Sequence, residues 1–278
     1  MSEASRAPLR ALFLGDVCAE PGRRMLKAAV PGLRAELGLD FVAVNCENAA
    51  AGYGITPVIA EELLGSGIDC LTSGDHIYDR KEIWDFLAAD HRLVRPLNYP
   101  PQAPGRGWSV FEVGQSRVAV LNLVGRVFMK PLDCPFRRVL PVLDELAQRT
   151  PVVLVDIHAE ATAEKQALGW FLDGRVSAVM GTHTHVQTAD ERILPGGTGY
   201  ITDAGMCGSF DSVLGMNKEA SLRRLIDGVP LRLRAGTADF RLNGVLLDID
   251  RSDGRCLAIS RFARRVELPG SDPAPVSG

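Results

Sequence analysis

Two histidines one residue apart, His183 and His185, are the clearest candidates for chemistry in this 278-residue sequence. They lie in the motif Gly-Thr-His-Thr-His at residues 181–185, directly after the apolar run 176–180. In extended backbone, side chains two positions apart lie on the same side, and neutral imidazole is the commonest biological ligand for Zn, Fe and Mn. The pair therefore suggests a metal site, although the motif alone is also consistent with a solvent-exposed turn.

Four earlier apolar runs also end in residues that can bind metal: Asp16, Glu47, Asn48, Asp75 and His158. Each has another interpretation when taken alone, such as a turn or helix cap, a solvated loop or a core histidine. Together with the histidine pair they place oxygen and nitrogen donors after five separate strands. In open α/β sheets, ligands bind beyond those strand ends. A mixed set of seven donors suits Fe, Mn or Zn and indicates two metal ions.

His76 follows Asp75 directly, and we predict that it stays free of metal. A site that activates water against a phosphate ester also needs a proton for the leaving oxygen, and histidine can supply one near neutral pH. The other interpretation is a histidine in a solvated turn. His91 lies in a polar stretch and receives no role.

Composition excludes several classes of protein. The content of 46% apolar and 23% charged residues is that of a globular chain, and a net charge of −3 gives no general attraction to nucleic acid or membrane surfaces. A small anionic substrate would therefore need a local positive site, which metal ions could provide. The six cysteines form no C-x-x-C pair, which argues against a zinc ribbon or a disulfide framework. We see no signal peptide and no apolar run of the roughly 18 residues that span a bilayer, so a cytoplasmic location is expected.

The elements that must position these residues alternate between strand and helix in the first half of the chain. Strands are predicted at residues 11–14, 41–44 and 70–73. Helices are predicted at residues 23–37, broken by Pro31, at residues 57–65 behind a Thr56 cap, and at residues 80–87. This rhythm predicts an α/β layered core.

The second half is less regular. Residues 94–107 carry four prolines and are predicted to form a surface connection. The remaining predicted elements are a hairpin of residues 108–114 and 117–123, helices at 140–148 and 161–172, strands at 152–157, 176–180 and 200–203, and antiparallel strands at 231–234, 240–249 and 256–262. Residues 1–268 are expected to form a single domain, and residues 269–278 a disordered tail.

At its candidate residues the sequence resembles the calcineurin-like metallophosphoesterases. The likeness runs from about Leu12 to Ile259 and is closest to the YmdB-type branch, described as 2′,3′-cyclic-nucleotide 2′-phosphodiesterases. The motifs that carry it are Gly-Asp at 15–16, Glu-Asn at 47–48, Gly-Asp-His at 74–76, His-Ala-Glu-Ala-Thr at 158–162 and Gly-Thr-His-Thr-His-Val-Gln-Thr at 181–188. The last two are specific, whereas Gly-Asp alone is weak.

The resemblance implies a four-layer α-β-β-α sandwich and a dinuclear metal centre. It places Asp16, Glu47, Asn48, Asp75, His158, His183 and His185 at ligand positions and His76 at the position of the proton donor. Two residues depart from the wider pattern. Cys18 stands where the superfamily usually has histidine, which the narrower branch also lacks, and Asp75 stands where the family usually has asparagine. An aspartate can still ligate through oxygen, but it changes the charge of the site.

The resulting hypothesis is a metal-dependent phosphodiesterase acting on small phosphate diesters, with (cyclic) nucleotides as the favoured substrates. Glu47 would bridge two metal ions, Fe or Mn with Zn as a third candidate, which hold a shared hydroxide for in-line attack on phosphorus. His76 would protonate the departing oxygen. Two alternatives stay open: a metal-containing nucleotide-sensing regulator with little turnover, and a hydrolase of a non-phosphate bond. No membrane partner and no extended nucleic-acid surface are expected, and a homo-oligomer stays open.

Overall fold

The computed structural model describes residues 7–268, in which two β-sheets are packed face to face. The seven strands of sheet I are β1 (Leu9–Leu14), β2 (Asp16–Val17), β3 (Phe41–Asn45), β4 (Cys70–Thr72), β11 (Met206–Ser209), β12 (Phe240–Ile249) and β13 (Cys256–Arg265). The six strands of sheet II are β5 (Trp108–Val113), β6 (Ser116–Val124), β7 (Val152–His158), β8 (Ala178–Thr182), β9 (Arg192–Ile193) and β10 (Gly199–Ile201). The strand orders are β2-β11-β12-β1-β3-β4, with β13 beside β12, and β5-β6-β7-β8-β10-β9.

Helices cover the outer face of each sheet. The helices are α1 (Ala19–Leu37), α2 (Pro57–Leu64), α3 (Ile83–Ala89), α4 (Pro135–Leu146), α5 (Thr162–Leu172) and α6 (Lys218–Asp227). The apolar residues of α1, α2 and α3 pack on sheet I, and those of α4 and α5 pack on sheet II. The predicted four-layer sandwich is therefore confirmed.

Strand alternation explains how both faces of each sheet are buried. In β1, Phe13 packs between the sheets, whereas Leu12 and Leu14 face the helices. In β7, Leu154 packs between the sheets and Val155 faces α5 and its neighbours. Successive side chains of a strand point to opposite faces, and strands buried on both faces read as continuous apolar runs. These are the runs that made the strands visible in the sequence.

Parallel pairing determines where the site must lie. Strands β1, β3 and β4 run parallel, and so do β6, β7, β8 and β10. Their carboxyl ends therefore meet along one edge of each sheet, and every candidate residue lies at or just beyond such an end.

The structure corrects several sequence expectations. Helix α1 is continuous, although a break was predicted at Pro31. Pro31 and Gly32 lie on the exposed face of the helix, where water can satisfy the carbonyl that loses its partner to proline. Helices α3 and α4 are displaced by two to five residues at their ends from the predicted ranges. Pro135, at the start of α4, provides the start signal that the prediction overlooked.

The segment 94–107 is only partly the surface connection that was predicted. Residues 93–99 are buried, and Arg95 donates hydrogen bonds to the backbone oxygens of Pro96, Leu97 and Ala103. The prolines cannot donate to a ladder, so the side chain of Arg95 organises this stretch instead. The predicted disordered tail, residues 269–278, lies outside the described residues.

The C-terminal third also differs from its prediction. Strands β12 and β13 are confirmed, but residues 231–234 form no strand, and the helix α6 was missed. Asn217 caps this helix, because its side chain accepts a hydrogen bond from the backbone N–H of Ala220. All six cysteines are free thiols, and five of them are buried. Among residues 7–268, none of the helices has the length and apolarity that crossing a membrane requires.

Candidate metal centre

The eight candidate residues come together where the carboxyl ends of the two sheets face each other. Sheet I supplies Asp16 at the start of β2, Glu47 and Asn48 after β3, and Asp75 and His76 after β4. Sheet II supplies His158 as the last residue of β7, and His183 and His185 after β8. One sheet thus contributes oxygen donors and one histidine, and the other contributes three histidines.

Four of these side chains form a tight cluster. Glu47, Asp75, His158 and His183 each offer one ligand atom, and these atoms lie within 4.8 Å of one another. His158 Nε2 is 2.9 Å from Glu47 Oε1 and 3.0 Å from Nδ1 of His183. Asp75 Oδ1 lies 3.6 Å from the same Nε2 atom. Converging carboxylate and imidazole groups of this kind are suited to divalent transition metals.

The other three predicted ligands border the cluster on two sides. Asp16 is fully buried, and its Oδ2 accepts a hydrogen bond of 3.0 Å from the backbone N–H of His183. On another side, Asn48 Nδ2 lies 3.0 Å from His185 Nε2. Since Asn48 follows Glu47 directly, the two groups of donors are adjacent.

His158 and His183 each present a ring nitrogen to the cluster, His185 presents one to Asn48, and each ring is held through its other nitrogen. His158 Nδ1 is 2.9 Å from the Thr182 hydroxyl, His183 Nε2 is 3.1 Å from Glu160, and His185 Nδ1 is 3.1 Å from the Leu214 carbonyl oxygen. Metal-binding histidines almost always donate their second N–H to such an acceptor, which fixes the ring and its tautomer. All three rings therefore have the environment of metal ligands.

The cluster also contains polar atoms that only an additional group would satisfy. Asp16 Oδ1 and Asp75 Oδ1 are buried, and neither has a hydrogen-bond partner among residues 7–268. Buried polar atoms without partners are rare and costly. The packing is so close that a Cβ on Gly74 would lie 2.0 Å from Glu47 Oε2. The donor set and the unpaired oxygens fit bound metal ions.

In the metal-free site, His158 is the main source of positive charge for the neighbouring carboxylates. Burial would lower its pKa, but the charge of Glu47, its contact with Asp75 and the nearby Asp16 raise the pKa well above the ordinary value. Burial acts to raise the pKa of Glu47 and of Asp75, but contacts with His158, together with the charge of His76 and, for Asp75, of Lys130, lower both pKa values. Burial also lowers the pKa of His183, and the neighbouring charge of His158 lowers it further. Without metal, His158 therefore carries the compensating positive charge of the cluster.

The loop that carries His183 and His185 is strained and firmly held. Both residues adopt positive φ angles, 100° and 64°, which cost of order 1–3 kcal/mol each outside glycine. Asp203 holds the loop, since its Oδ2 accepts hydrogen bonds from the backbone N–H and the hydroxyl of Thr184. The same oxygen pairs with the buried Lys165 at 2.7 Å. The surroundings thus impose a backbone that aims both rings into the site.

His76 lies beside the cluster without being part of it. Its backbone N–H donates to Glu47 Oε2 at 3.3 Å, and its Nδ1 is 2.7 Å from Asp79 Oδ2. The edge of its ring packs against Tyr53, with 5.1 Å between ring centroids. Asp79 fixes the orientation of the ring through Nδ1, and within residues 7–268 no hydrogen bond engages Nε2. This nitrogen can serve a substrate.

Asp75 faces the carboxylate–histidine cluster and does not cap the following helix. Helix α3 begins at Ile83, seven residues beyond His76, and the preceding Glu82 makes no capping bond. The backbone oxygen of Asp75 accepts hydrogen bonds from Tyr99 and Lys130, and Lys130 Nζ lies 4.0 Å from Asp75 Oδ2. This lysine partly offsets the charge that aspartate adds relative to asparagine.

Several residues that support the site were missed in the sequence. These are Glu160, Thr182, Asp156, Lys165 and Asp203. Glu160 and Thr182 stand inside the two specific motifs, so their proximity to histidine was visible, but their role depends on ring orientation. Asp156 lies within the apolar strand β7 and Lys165 within helix α5. A charged residue in an apolar strand signals a buried charge but does not reveal its partner.

Comparison with known proteins agrees with the geometry. The family model described as YmdB-like protein matches residues 12–262. The 2′,3′-cyclic-nucleotide 2′-phosphodiesterase of Bacillus subtilis (strain 168) is 47% identical over 254 residues, which cover 91% of this chain and 96% of that protein. A solved structure of a hypothetical protein from Thermus thermophilus superimposes with a TM-score of 0.86 at 43% identity, covering 92% of this chain and 99% of that one. A structure from Mycoplasma pneumoniae, described as a novel phosphatase, gives 0.87 at 33% identity, covering 95% and 96%.

Proposed function

The chain belongs to the YmdB-like family, and from that premise we propose that it hydrolyses phosphate diesters at a dinuclear metal centre, with 2′,3′-cyclic nucleotides as its substrates. The relative from Bacillus subtilis is named for this reaction. The observation that carries the proposal is the arrangement of the three histidines. His158 Nε2 lies 2.9 Å from Glu47 Oε1, and His185 Nε2 lies 3.0 Å from Asn48 Nδ2. His183 belongs to the cluster with Glu47 and Asp75, and each of the three rings is anchored through its second nitrogen.

Seven side chains would hold the metals in this proposal: Asp16, Glu47, Asn48, Asp75, His158, His183 and His185. Glu47 would serve both ions, because it lies within the tight cluster and is adjacent in sequence to Asn48, which contacts His185. When bound, the two ions would polarise the phosphate and lower the pKa of water so that it can attack phosphorus. Fe and Mn are the favoured metals, and Zn also matches the donors.

His76 would complete the reaction as the general acid. In a 2′,3′-cyclic nucleotide, attack by water breaks the bond between phosphorus and O2′ and leaves the phosphate on O3′. The departing O2′ needs a proton, which His76 Nε2 would donate. Asp79 Oδ2, 2.7 Å from Nδ1, holds the ring in position for this transfer.

Hydrolysis of bis-p-nitrophenyl phosphate, with and without added Mn²⁺, tests the proposed reaction class. Wild type should show metal-dependent turnover that a chelator abolishes, and His158→Ala should lose it. His91→Ala is the matched control, because His91 contacts Phe111 outside the cluster and its variant should retain activity. Adenosine 2′,3′-cyclic phosphate should then yield the 3′-phosphate. Tight binding of metal and nucleotide without turnover would favour the sensing regulator instead.

A further inference from the structure

A cleft lined by arginines adjoins the candidate metal centre. The cleft has a volume of about 810 Å³, lies between the start of α1 and the segment 231–237, and has one acidic side chain, Glu20, in its wall. Its arginines, which define what we call the arginine cleft, are Arg23, Arg80, Arg224, Arg232 and Arg234. Five guanidinium groups around one cavity are unexpected in a chain with a net charge of −3.

Most of this positive charge has no acidic partner. Arg80 donates only to the backbone oxygens of Tyr53 and Ala50. Arg224, Arg232 and Arg234 make no ion pair with any carboxylate of residues 7–268.

Arg23 does pair with a carboxylate, Glu62, at 3.4 Å, but its Nε is buried without a hydrogen-bond partner among the described residues. Guanidinium groups bind phosphate through paired, planar hydrogen bonds. The arginine cleft is therefore suited to an anion with several oxygens.

Three contacts connect the arginine cleft to the candidate metal centre. Tyr53 lines the cleft, and its ring packs against His76. Ala19 also lines the cleft, and its backbone N–H donates to the Asn48 carbonyl oxygen at 2.9 Å. The loop that ends in the cleft-lining Met216 accepts a hydrogen bond from His185 through the Leu214 carbonyl oxygen. A ligand that extends from the metal site past Tyr53 would reach the arginines.

We propose that the arginine cleft binds a second phosphate of the substrate, carried on the 5′ oxygen of the nucleotide whose cyclic phosphate is hydrolysed. This inference rests on the proposed function of the neighbouring site. Tyr53, which is 51% exposed, lies between the two anion sites and can contact the nucleoside that separates the phosphates. The 5′ phosphate can be terminal or can link to a further nucleotide, and both present the same oxygens to guanidinium groups.

The test compares kcat/KM for three substrates in the metal-loaded protein. They are adenosine 2′,3′-cyclic phosphate, the same compound with a 5′-phosphate, and a dinucleotide that ends in the cyclic phosphate. Wild type should prefer at least one two-phosphate substrate by about tenfold or more, as expected for charge-assisted bidentate contacts. Preference for the 5′-phosphorylated compound alone indicates a terminal phosphate, and preference for the dinucleotide alone indicates an internucleotide link. Preference for both indicates that the arginine cleft accepts either form of the 5′ phosphate. Equal kcat/KM for all three would overturn the proposal.

In the double variant Arg232→Gln/Arg234→Gln, the ratio of kcat/KM between the two-phosphate and one-phosphate substrates should fall to about one. This ratio should also depend less on salt concentration than in wild type. Both side chains are exposed, so the fold should tolerate the change. Arg223→Gln is the matched control: Arg223 lies on α6 next to Arg224, pairs with Asp227 and does not line the cleft. It should keep the wild-type preference. If the double variant kept the wild-type preference, the second phosphate would not bind in the arginine cleft and the proposal would be wrong.

Direct binding separates this inference from the proposed reaction. Adenosine 3′,5′-bisphosphate and adenosine 3′-phosphate can be titrated against wild type and the double variant by calorimetry. Tighter binding of the bisphosphate by wild type alone would support the arginine cleft even if no cyclic nucleotide were hydrolysed. Equal affinity of wild type and the double variant for the bisphosphate would refute it even if hydrolysis were found.

Discussion

Replacing Thr182 with valine removes one hydroxyl from beneath the candidate metal centre. The Thr182 hydroxyl is buried, lies 2.9 Å from His158 Nδ1 and donates to Asp156 Oδ1 at 2.7 Å. It thus connects the ring of a proposed ligand to a buried carboxylate. The hydroxyl also accepts a 3.3 Å hydrogen bond from Asn45 Nδ2. Valine has the same shape and suits the end of strand β8, so the change isolates the loss of these three hydrogen bonds.

Both consequences of Thr182→Val can be given a magnitude. Each buried polar group left unpaired, on His158 and on Asp156, costs about 1–3 kcal/mol of stability. Thr72 and Asn45 still donate to Asp156 Oδ2, whereas Oδ1 loses its bond from Thr182. Loss of the acceptor that orients a metal-binding histidine should weaken metal affinity by about 10–100-fold. Urea unfolding of the metal-free protein and competition with a chelator of known affinity measure the two effects.

Thr198→Val is the matched control. Thr198 is also fully buried, and its hydroxyl donates to the Val176 carbonyl oxygen at 2.7 Å, away from the metal cluster. Thr198→Val should lose stability but keep its metal affinity. Thr182→Ser retains the hydroxyl, so both its stability and its metal affinity should stay close to those of wild type. If Thr182→Val bound metal as tightly as wild type, the anchoring role inferred for the second ring nitrogens would be wrong.

Four further predictions concern the cluster and the neighbouring His76. His76→Ala should keep its metals but lose roughly 10²–10⁴-fold in turnover of cyclic nucleotide, because only the proton donor is removed; loss of metal in elemental analysis would make His76 a ligand. Glu47→Ala should lose metal and activity together; if the variant kept its metal ions, a residue other than Glu47 would have to bridge them. Asp75→Asn should keep both metals and shift the alkaline-rising limb of the pH–rate profile to lower pH, since one negative charge beside the metals is removed; an unchanged profile would place Asp75 outside the metal shell. Because the pKa of His158 is raised in the metal-free protein, metal binding should release a proton and strengthen as pH rises; calorimetry in two buffers of different ionisation enthalpy should show it, and no difference between the buffers would contradict it.

The convergence of the site was predictable because parallel strands share one carboxyl edge. Asp16, Glu47 and His158 all follow apolar runs, and the runs were readable because both sheet faces are buried. Their distribution between two sheets was not derivable from spacing and came from the family resemblance. The direction of Asp75 was also open, because a Gly-Asp pair is equally typical of a helix cap.

Other features depend on contacts that no local pattern encodes. The Lys165–Asp203 pair joins residues 38 positions apart, and the arginine cleft gathers side chains from several separate segments. The local chemistry of Pro31 predicts a break, but its position on the exposed face of α1 makes it tolerable. The four prolines of residues 94–107 indicated exposure, yet tertiary packing buries the first part of that segment.

Metal stoichiometry tests the central claim most directly. The protein should be purified without chelators, and its Fe, Mn and Zn should be measured against protein concentration by inductively coupled plasma mass spectrometry. Seven converging donors, with two buried carboxylate oxygens that lack hydrogen-bond partners among the described residues, predict close to two ions per chain. One ion or fewer per chain would contradict the dinuclear centre.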